Sequence, residues 1–266
     1  MKFLEPEAFF DLASFEFRDL FAGCKVAWEA LANIPATLER GLKPNVPAAG
    51  PFGAPLPETV VLFRGKVYVR GFKILGGDVA KGSFRVEVEG EETGEAVVLY
   101  AGSVLWDGKI LIGPGSVVEP GALIKGPAII GSRTEVRQGA YIRGKCIVGN
   151  RCVVGHTTEM KASIMLDGAK AGHFAYIGDS ILGNDTNLGA GTKLANLKIR
   201  GSTVRVRVDE RNIDTGLRKF GAILGDRVEI GCNSVTNPGT MLGKGCLVFP
   251  VMSVRAGYYG PEKIVC

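Results

Sequence analysis

The sequence of 266 residues holds only two histidines and no Cys-x-x-Cys pair. It also lacks any run near the ~18 consecutive apolar residues that a membrane span requires. The six cysteines, Cys24, Cys146, Cys152, Cys232, Cys246 and Cys266, therefore read mainly as small hydrophobes of the core. The opening stretch MKFLEPEAFFDLASFEF carries Glu5, Glu7 and Asp11 and lacks the basic-then-apolar order of a secretory leader. A cytoplasmic protein without disulfides is expected. Charge is nearly balanced: 32 basic and 27 acidic residues give +5, spread along the chain. Such a spread does not point to nucleic acid, and neither nucleic acid nor membrane is expected as a partner. Hydrophobic residues make up 46%, which excludes general disorder.

What the sequence has in excess is glycine, 38 of 266 residues, about twice the usual ~7%. The strict every-third spacing of collagen is absent. Glycine must therefore recur at bends of an ordered, apolar structure, which makes an internal repeat the first thing to seek.

Every sixth residue from Ile112 is large and aliphatic: Ile112, Val118, Ile124, Ile130, Val136, Ile142, Val148, Val154, Met160, Leu166. Four residues further on, the column is small: Ser116, Ala122, Ala128, Thr134, Ala140, Cys146, Cys152, Thr158. The phase resumes at Leu224, Ile230, Thr236, Leu242 and Val248. A period of six is neither helical nor a plain strand alternation. It fits short extended segments separated by bends, stacked into a solenoid. One aliphatic side chain per segment points inward, a small one fills the corner, and glycine supplies the strained backbone angles.

This pattern resembles the hexapeptide-repeat family. The resemblance implies an all-β, left-handed parallel β-helix of triangular section, three hexapeptides per coil. The repeat spans 112–254, with an inserted arm at 197–222 and a tail at 255–266. The arm holds VRVRV, a polar DERN turn and a run ending GLRKF, which reads as a β-hairpin. Its cations (Arg200, Arg205, Arg207, Arg211, Arg218) suit a solvated hairpin, or one that covers a site or reaches a neighbouring subunit. Residues 1–58 read as an N-terminal helix and a linker: over 5–40, Phe9, Leu12, Phe17, Leu20, Phe21, Trp28 and Leu31 stand at helical spacing, with Pro35 ending or bending the helix. A linker rich in proline (Pro44, Pro47, Pro51, Pro55, Pro57) follows. Residues 59–111 read as strands that cap the first coil, whose open edge otherwise exposes apolar backbone.

The segment from His156 to Lys198 carries EMK (Glu159–Lys161), KAGHFAYIGD (Lys170–Asp179) and NLGAGTKLAN (Asn187–Asn196). In this order the motifs closely resemble the acetyltransferase half of the bifunctional enzymes that acetylate glucosamine-1-phosphate and then make UDP-N-acetylglucosamine. The resemblance implies an acetyl-CoA-dependent N-acetyltransferase acting on an amino-sugar phosphate. It implies that His173 takes the amine proton and that Asn196 contacts substrate near the attacking amine. Arg143 and Lys161 would bind the phosphate, and Tyr176, Asn187 and Lys219 would contact sugar or phosphate. Gly189, Ala190, Gly191 and Cys232 would face acetyl-CoA; on charge alone, and not from the resemblance, Lys244, Arg255 and Lys263 are candidates for its phosphates. A homotrimer with sites between subunits is implied as well. His156 has no catalytic counterpart there and reads as structural or peripheral.

The chemistry requires these groups. A thioester is attacked by a neutral amine, and imidazole is the side chain whose charge changes near neutral pH. The oxyanion needs donors, and the backbone N–H groups of the GAGT turn are the nearest candidates. No metal is required, and two histidines are too few for the three-histidine zinc site of some hexapeptide proteins. Independently of any resemblance, Lys125, Arg143 and Lys161 are each eighteen residues apart. Three hexapeptides per coil stack them on one outer face about 4.8 Å apart. Like charges so close require screening water or a bound anion such as phosphate.

Four departures stand out, two of them the arm, which is longer than the family's, and the tail SVRAGYYGPEKIVC, which has no clear match to the C-terminal coils and tail that the family uses for CoA. No LxAGxGTRM-type nucleotide motif occurs in residues 1–110, so uridylyl transfer is not expected of this sequence. Leu197 follows Asn196 where the family has tyrosine, which removes a hydroxyl from the sugar pocket. The alternative is a non-enzymatic hexapeptide protein that binds a sugar phosphate or nucleotide sugar and partners a separate nucleotidyltransferase.

Overall fold

A computed structural model describes residues 2–46 and 49–266; Pro47 of the proline-rich linker lies outside the described residues. The chain winds into a β-solenoid of about nine coils. Three parallel sheets form its faces. The first face descends from Val97–Leu99 to Ile264–Val265, the second from Val104–Leu105 to Ser253–Val254, and the third from Ile110–Ile112 to Gly257–Tyr259. Each strand is two to four residues long, because one hexapeptide leaves room only for that before the next corner.

The sixfold columns are the inside of the prism. Ile124, Ile142, Met160, Ile177 and Leu194 lie in register on successive coils of the second face and are buried. Each fully buried side chain of this size stabilises by roughly 1.5–3 kcal/mol. The small column fills the corners: Ser116, Thr134, Cys146, Cys152 and Thr158 are buried there. One detail of the expected phase differs. Val148 pairs with Met165, seventeen residues on, so Met165 points inward and Leu166 faces outward into a second core. The phase therefore slips at the five-residue step from Met160 to Met165.

Glycine has two uses, of which the sequence reading anticipated one. Some corners take glycine at positive φ, such as Gly121 and Gly139, but many corner angles are held by other residues, including Arg133, Arg151, Phe174 and Asp179. Other glycines, such as Gly113 and Gly131, sit where the backbone of the coil below comes too close for a side chain. A Cβ at Gly131 would strike the backbone of Gly149 in the next coil.

The outer row of the third face is apolar: Leu111, Ile129, Ile147, Ile164, Ile181, Ile223, Met241 and Tyr258 pair in succession. The N-terminal segment covers it with Leu4, Phe9, Phe10, Phe15, Leu20, Phe21, Trp28, Ile34 and Leu38. The segment therefore packs on its own coil. It is less helical than its spacing suggested: one turn at Pro6–Phe9, short 3-10 turns, then a helix at Ala30–Gly41. Pro35 lies inside that helix and does not end it. Asp226 pins the segment to the solenoid. Its N–H donates to Phe9 O at 2.9 Å, and its Oδ2 accepts from Asp11 N at 2.7 Å.

The arm is the expected hairpin, Arg205–Val208 against Arg211–Asp214. It lies on the same third face, with Val204, Val206 and Val208 inward and Arg205 and Arg207 outward. At the top, Val60–Phe63 and Lys66–Tyr68 extend the first face as antiparallel strands. A separate three-stranded sheet, spanning Phe72–Gly76, Arg85–Val88 and Glu91–Thr93, packs outside it. The two antiparallel strands thus continue one face at its upper edge, and the three-stranded sheet covers the outside of that face.

Candidate active site

Arg143 and Lys161 fall on the second face in register, as the spacing of eighteen requires, each following an inward residue (Ile142, Met160). Both are already neutralised. Arg143 Nη1 donates to Glu159 Oε1 at 2.6 Å, and Lys161 Nζ donates to Asp179 Oδ2 at 2.9 Å. The repulsion inferred from sequence is relieved by these two carboxylates, so no bound anion is needed to hold the stack together. Asn196 Nδ2 donates to the same Asp179 oxygen. The Tyr176 hydroxyl and the Asn196 amide both crowd Gly178, where a Cβ would meet them at 2.7 Å. Partial burial pushes the Tyr176 phenol up. Lys219 stands at the root of the arm, bridged to Leu197, and Phe220 N donates to Asn196 O at 3.0 Å. Arg143, Lys161, Tyr176, Asn196 and Lys219 thus gather at the edge between the second and third faces. Glu159 and Asp179 complete that cluster. The sequence reading gave them no role, although both lie inside the quoted motifs and Asp179 continues the spacing of eighteen from Lys161.

His173 lies on the opposite edge of the second face, at its corner with the first. It ends the strand Lys170–His173, is exposed, and pairs in register with His156 one coil up. Phe174, at φ 53°, stands by both rings, 5.0 Å from His156 and 6.4 Å from His173. His156 Nδ1 lies 3.0 Å from Gln138 O, a backbone contact that suits a structural residue. His173 and Gly178 are five residues apart, at most roughly 16 Å at the ~3.3 Å per residue of a fully extended strand, and a corner at Phe174 falls between them. His173 and the Arg143–Lys161 pair thus stand at opposite edges of the second face.

Below His173 on the same corner come Ala190 and then Cys232: Gly191 N donates to His173 O at 3.0 Å and Asn233 N to Ala190 O at 2.8 Å. The N–H groups of Gly189, Gly191 and Thr192 are spent on backbone carbonyls, so the whole GAGT turn is not a free donor set. Among the described residues, Ala190 N makes no such bond. Lys193 Nζ caps the corner, bonding Phe174 O and Gly191 O at 2.8 Å each.

The remaining expected residues are dispersed. Asn187 lies on the first face and donates to Glu229 at 3.0 Å. Lys244 lies at the corner of the third and first faces, 3.8 Å from Asp226. Arg255 follows Val254 at the bottom of the second face. Lys244 and Arg255 therefore do not form one phosphate site within a protomer. Among the described residues no group of three or more His, Cys, Asp or Glu is placed to hold a metal ion. No helix among them is long and apolar enough to cross a membrane.

Repeat and register define a β-solenoid built on a period of six. Its middle section is similar to parts of known sugar-phosphate enzymes. The model of the GMPPB C-terminal domain matches residues 124–217. A bifunctional sugar-1-phosphate nucleotidylyltransferase/acetyltransferase of Sulfurisphaera tokodaii is 37% identical over 107 residues, 40% of this chain and 27% of that protein. The bifunctional protein GlmU of Methanocaldococcus jannaschii is 37% identical over 95 residues, covering 36% and 23%. YaiX of Escherichia coli, named as an acetyltransferase but uncharacterized, is 35% identical over 148 residues, covering 56% and 64%. The chain thus spans only about a quarter of the length of the bifunctional relatives.

Proposed function

We propose that the protein is an acyltransferase that moves an acetyl group from acetyl-CoA to the amine of an amino-sugar phosphate resembling glucosamine-1-phosphate. The observation that carries this reading is the division of the second face. An exposed imidazole stands on one edge, and a cationic, amide-bearing cradle stands on the other, at the same storeys. In a homotrimer, one protomer's His173 edge meets a neighbour's cradle edge, which completes the site. This oligomer is part of the proposal.

The step is a direct transfer. The amine nitrogen attacks the thioester carbonyl carbon, a C–N bond forms, and the amine proton passes to His173. The C–S bond then breaks and coenzyme A leaves as the thiol, taking the proton back. General-base assistance of this kind contributes about 10²–10⁴-fold. The sugar phosphate exchanges with Glu159 and Asp179 for Arg143 and Lys161. Asn196 and Tyr176 orient the sugar, with Lys219 at the rim. Ala190 N faces the developing oxyanion. Acetyl-CoA runs down the corner of Gly189, Ala190, Gly191 and Cys232.

Incubation with acetyl-CoA and glucosamine-1-phosphate tests the reading. Free thiol is expected to appear in step with N-acetylated sugar. No thiol release with any amino-sugar phosphate, alongside tight binding of the sugar phosphate, contradicts it.

A further inference from the structure

The second face carries aromatic and cationic side chains above the cradle, of which only the lowest, Arg143, is also used by the transfer step. Its outward positions form two columns. One descends through Leu123, Tyr141, Glu159 and Tyr176, the other through Trp106, Lys125, Arg143 and Lys161. Arg143 and Lys161 each face a carboxylate. Lys125 instead holds its ammonium over aromatic rings, 4.3 Å from the Trp106 centroid and 5.6 Å from that of Tyr141. The Arg143 guanidinium lies 5.8 Å from the same Tyr141 ring. Trp106 follows the uppermost strand of this face and is 48% exposed, whereas the other tryptophan, Trp28, is 5% exposed.

An exposed indole beside an ammonium that has no carboxylate partner among the described residues suits one kind of ligand: a planar ring carrying phosphates. The ring stacks on the aromatic surface while phosphate oxygens take the cations. Trp106 and Arg143 are two storeys apart, about 9.6 Å at ~4.8 Å per storey, a span that a ribosyl pyrophosphate bridges. We propose that Trp106, Lys125, Tyr141 and Arg143 form a seat for a nucleoside diphosphate group. Two molecules carry that chemistry: a nucleotide-activated sugar, and the adenosine diphosphate end of coenzyme A. The seat works by stacking and charge pairing and stands whether or not acyl transfer occurs at His173.

Tryptophan fluorescence reads it directly, because only Trp106 is open to a ligand. The full chain is titrated with UDP, UDP-glucosamine, ADP and CoA, and with glucosamine-1-phosphate as the ligand without a base. Saturable quenching is expected from base-bearing ligands and not from glucosamine-1-phosphate. Lys125→Met, which keeps the aliphatic stem, is expected to raise the dissociation constant at least tenfold. Lys73→Ala, on the three-stranded sheet, should leave it unchanged. Quenching by UDP and UDP-glucosamine alone assigns the seat to the acceptor; quenching by ADP and CoA assigns it to the donor. Absence of saturable quenching by all four, or quenching undiminished in Lys125→Met, overturns the proposal. Thiol release from acetyl-CoA and glucosamine-1-phosphate, assayed in parallel, separates failure of the seat from failure of the transfer reading.

Discussion

Lys161 Nζ lies 2.9 Å from Asp179 Oδ2, eighteen residues and one storey away, and Arg143 is held the same way by Glu159. The cradle is electrically satisfied before any ligand arrives. An incoming phosphate must displace a carboxylate. The Arg143–Glu159 pair is partly exposed, and such pairs are worth up to about 1 kcal/mol. Glu159→Gln is therefore expected to tighten inorganic phosphate binding about two- to fivefold, measured by calorimetry. Weaker binding in that variant would mean that Glu159 organises the site and does not compete for it.

Neighbouring glycines of the first face should respond oppositely to alanine. A Cβ at Gly155 would collide with the Gly172 backbone of the coil below, whereas one at Gly172 meets nothing within 4 Å. Gly155→Ala is expected to cost several kcal/mol, on the order of the larger single-site losses, or to prevent folding. Gly172→Ala should change stability by less than about 0.5 kcal/mol. Equal melting temperatures for the two variants would contradict the storey spacing.

The N-terminal segment is expected to be integral to the fold. Phe10 is 2% exposed against the aromatic cluster on the third face. Phe10→Ala should cost about 3–5 kcal/mol in denaturant unfolding. Arg205→Ala, outward on the arm beside buried Val204 and Val206, should cost under about 0.5 kcal/mol. A null effect of Phe10→Ala would mean that the segment is a loose appendage.

Burial pushes the Cys146 and Cys152 thiols up from 9.0 to about 12. A thiol held protonated in the folded state contributes stability that is full below the unfolded value and is lost as pH rises toward the folded one. Stability should thus decline between about pH 9 and pH 12, by up to roughly 1.4 kcal/mol per pH unit for each thiol. Cys146→Ala should flatten the slope; an unchanged slope would assign it to other groups. In the native protein at pH 8, thiol reagents should label Cys232 and Cys266, which are exposed, and spare Cys146 and Cys152.

The solenoid was legible because its signal is additive: nine of the ten aliphatic residues at one spacing form the inward row, and register follows. The stacking of Arg143 on Lys161 came from the same arithmetic. Periodicity could not show how those charges are compensated, because Glu159 and Asp179 act across storeys and along the corner. Nor could it locate the slip at Met165, since Leu166 is equally apolar and simply faces a second core. The N-terminal segment misled in another way. Its spacing of phenylalanines reflects a sheet face to be covered, which short turns satisfy as well as a long helix does. The dispersal of Asn187, Lys244 and Arg255 over different faces and corners becomes visible only once corners are assigned.

The most direct test of the account is the rate of acetyl transfer from acetyl-CoA to glucosamine-1-phosphate by the protein and by its His173→Ala variant, each at matched oligomeric state. The account predicts at least a hundredfold loss in the variant, with the oligomer and melting temperature unchanged. An undiminished rate would remove His173 as the proton acceptor and with it the proposed mechanism.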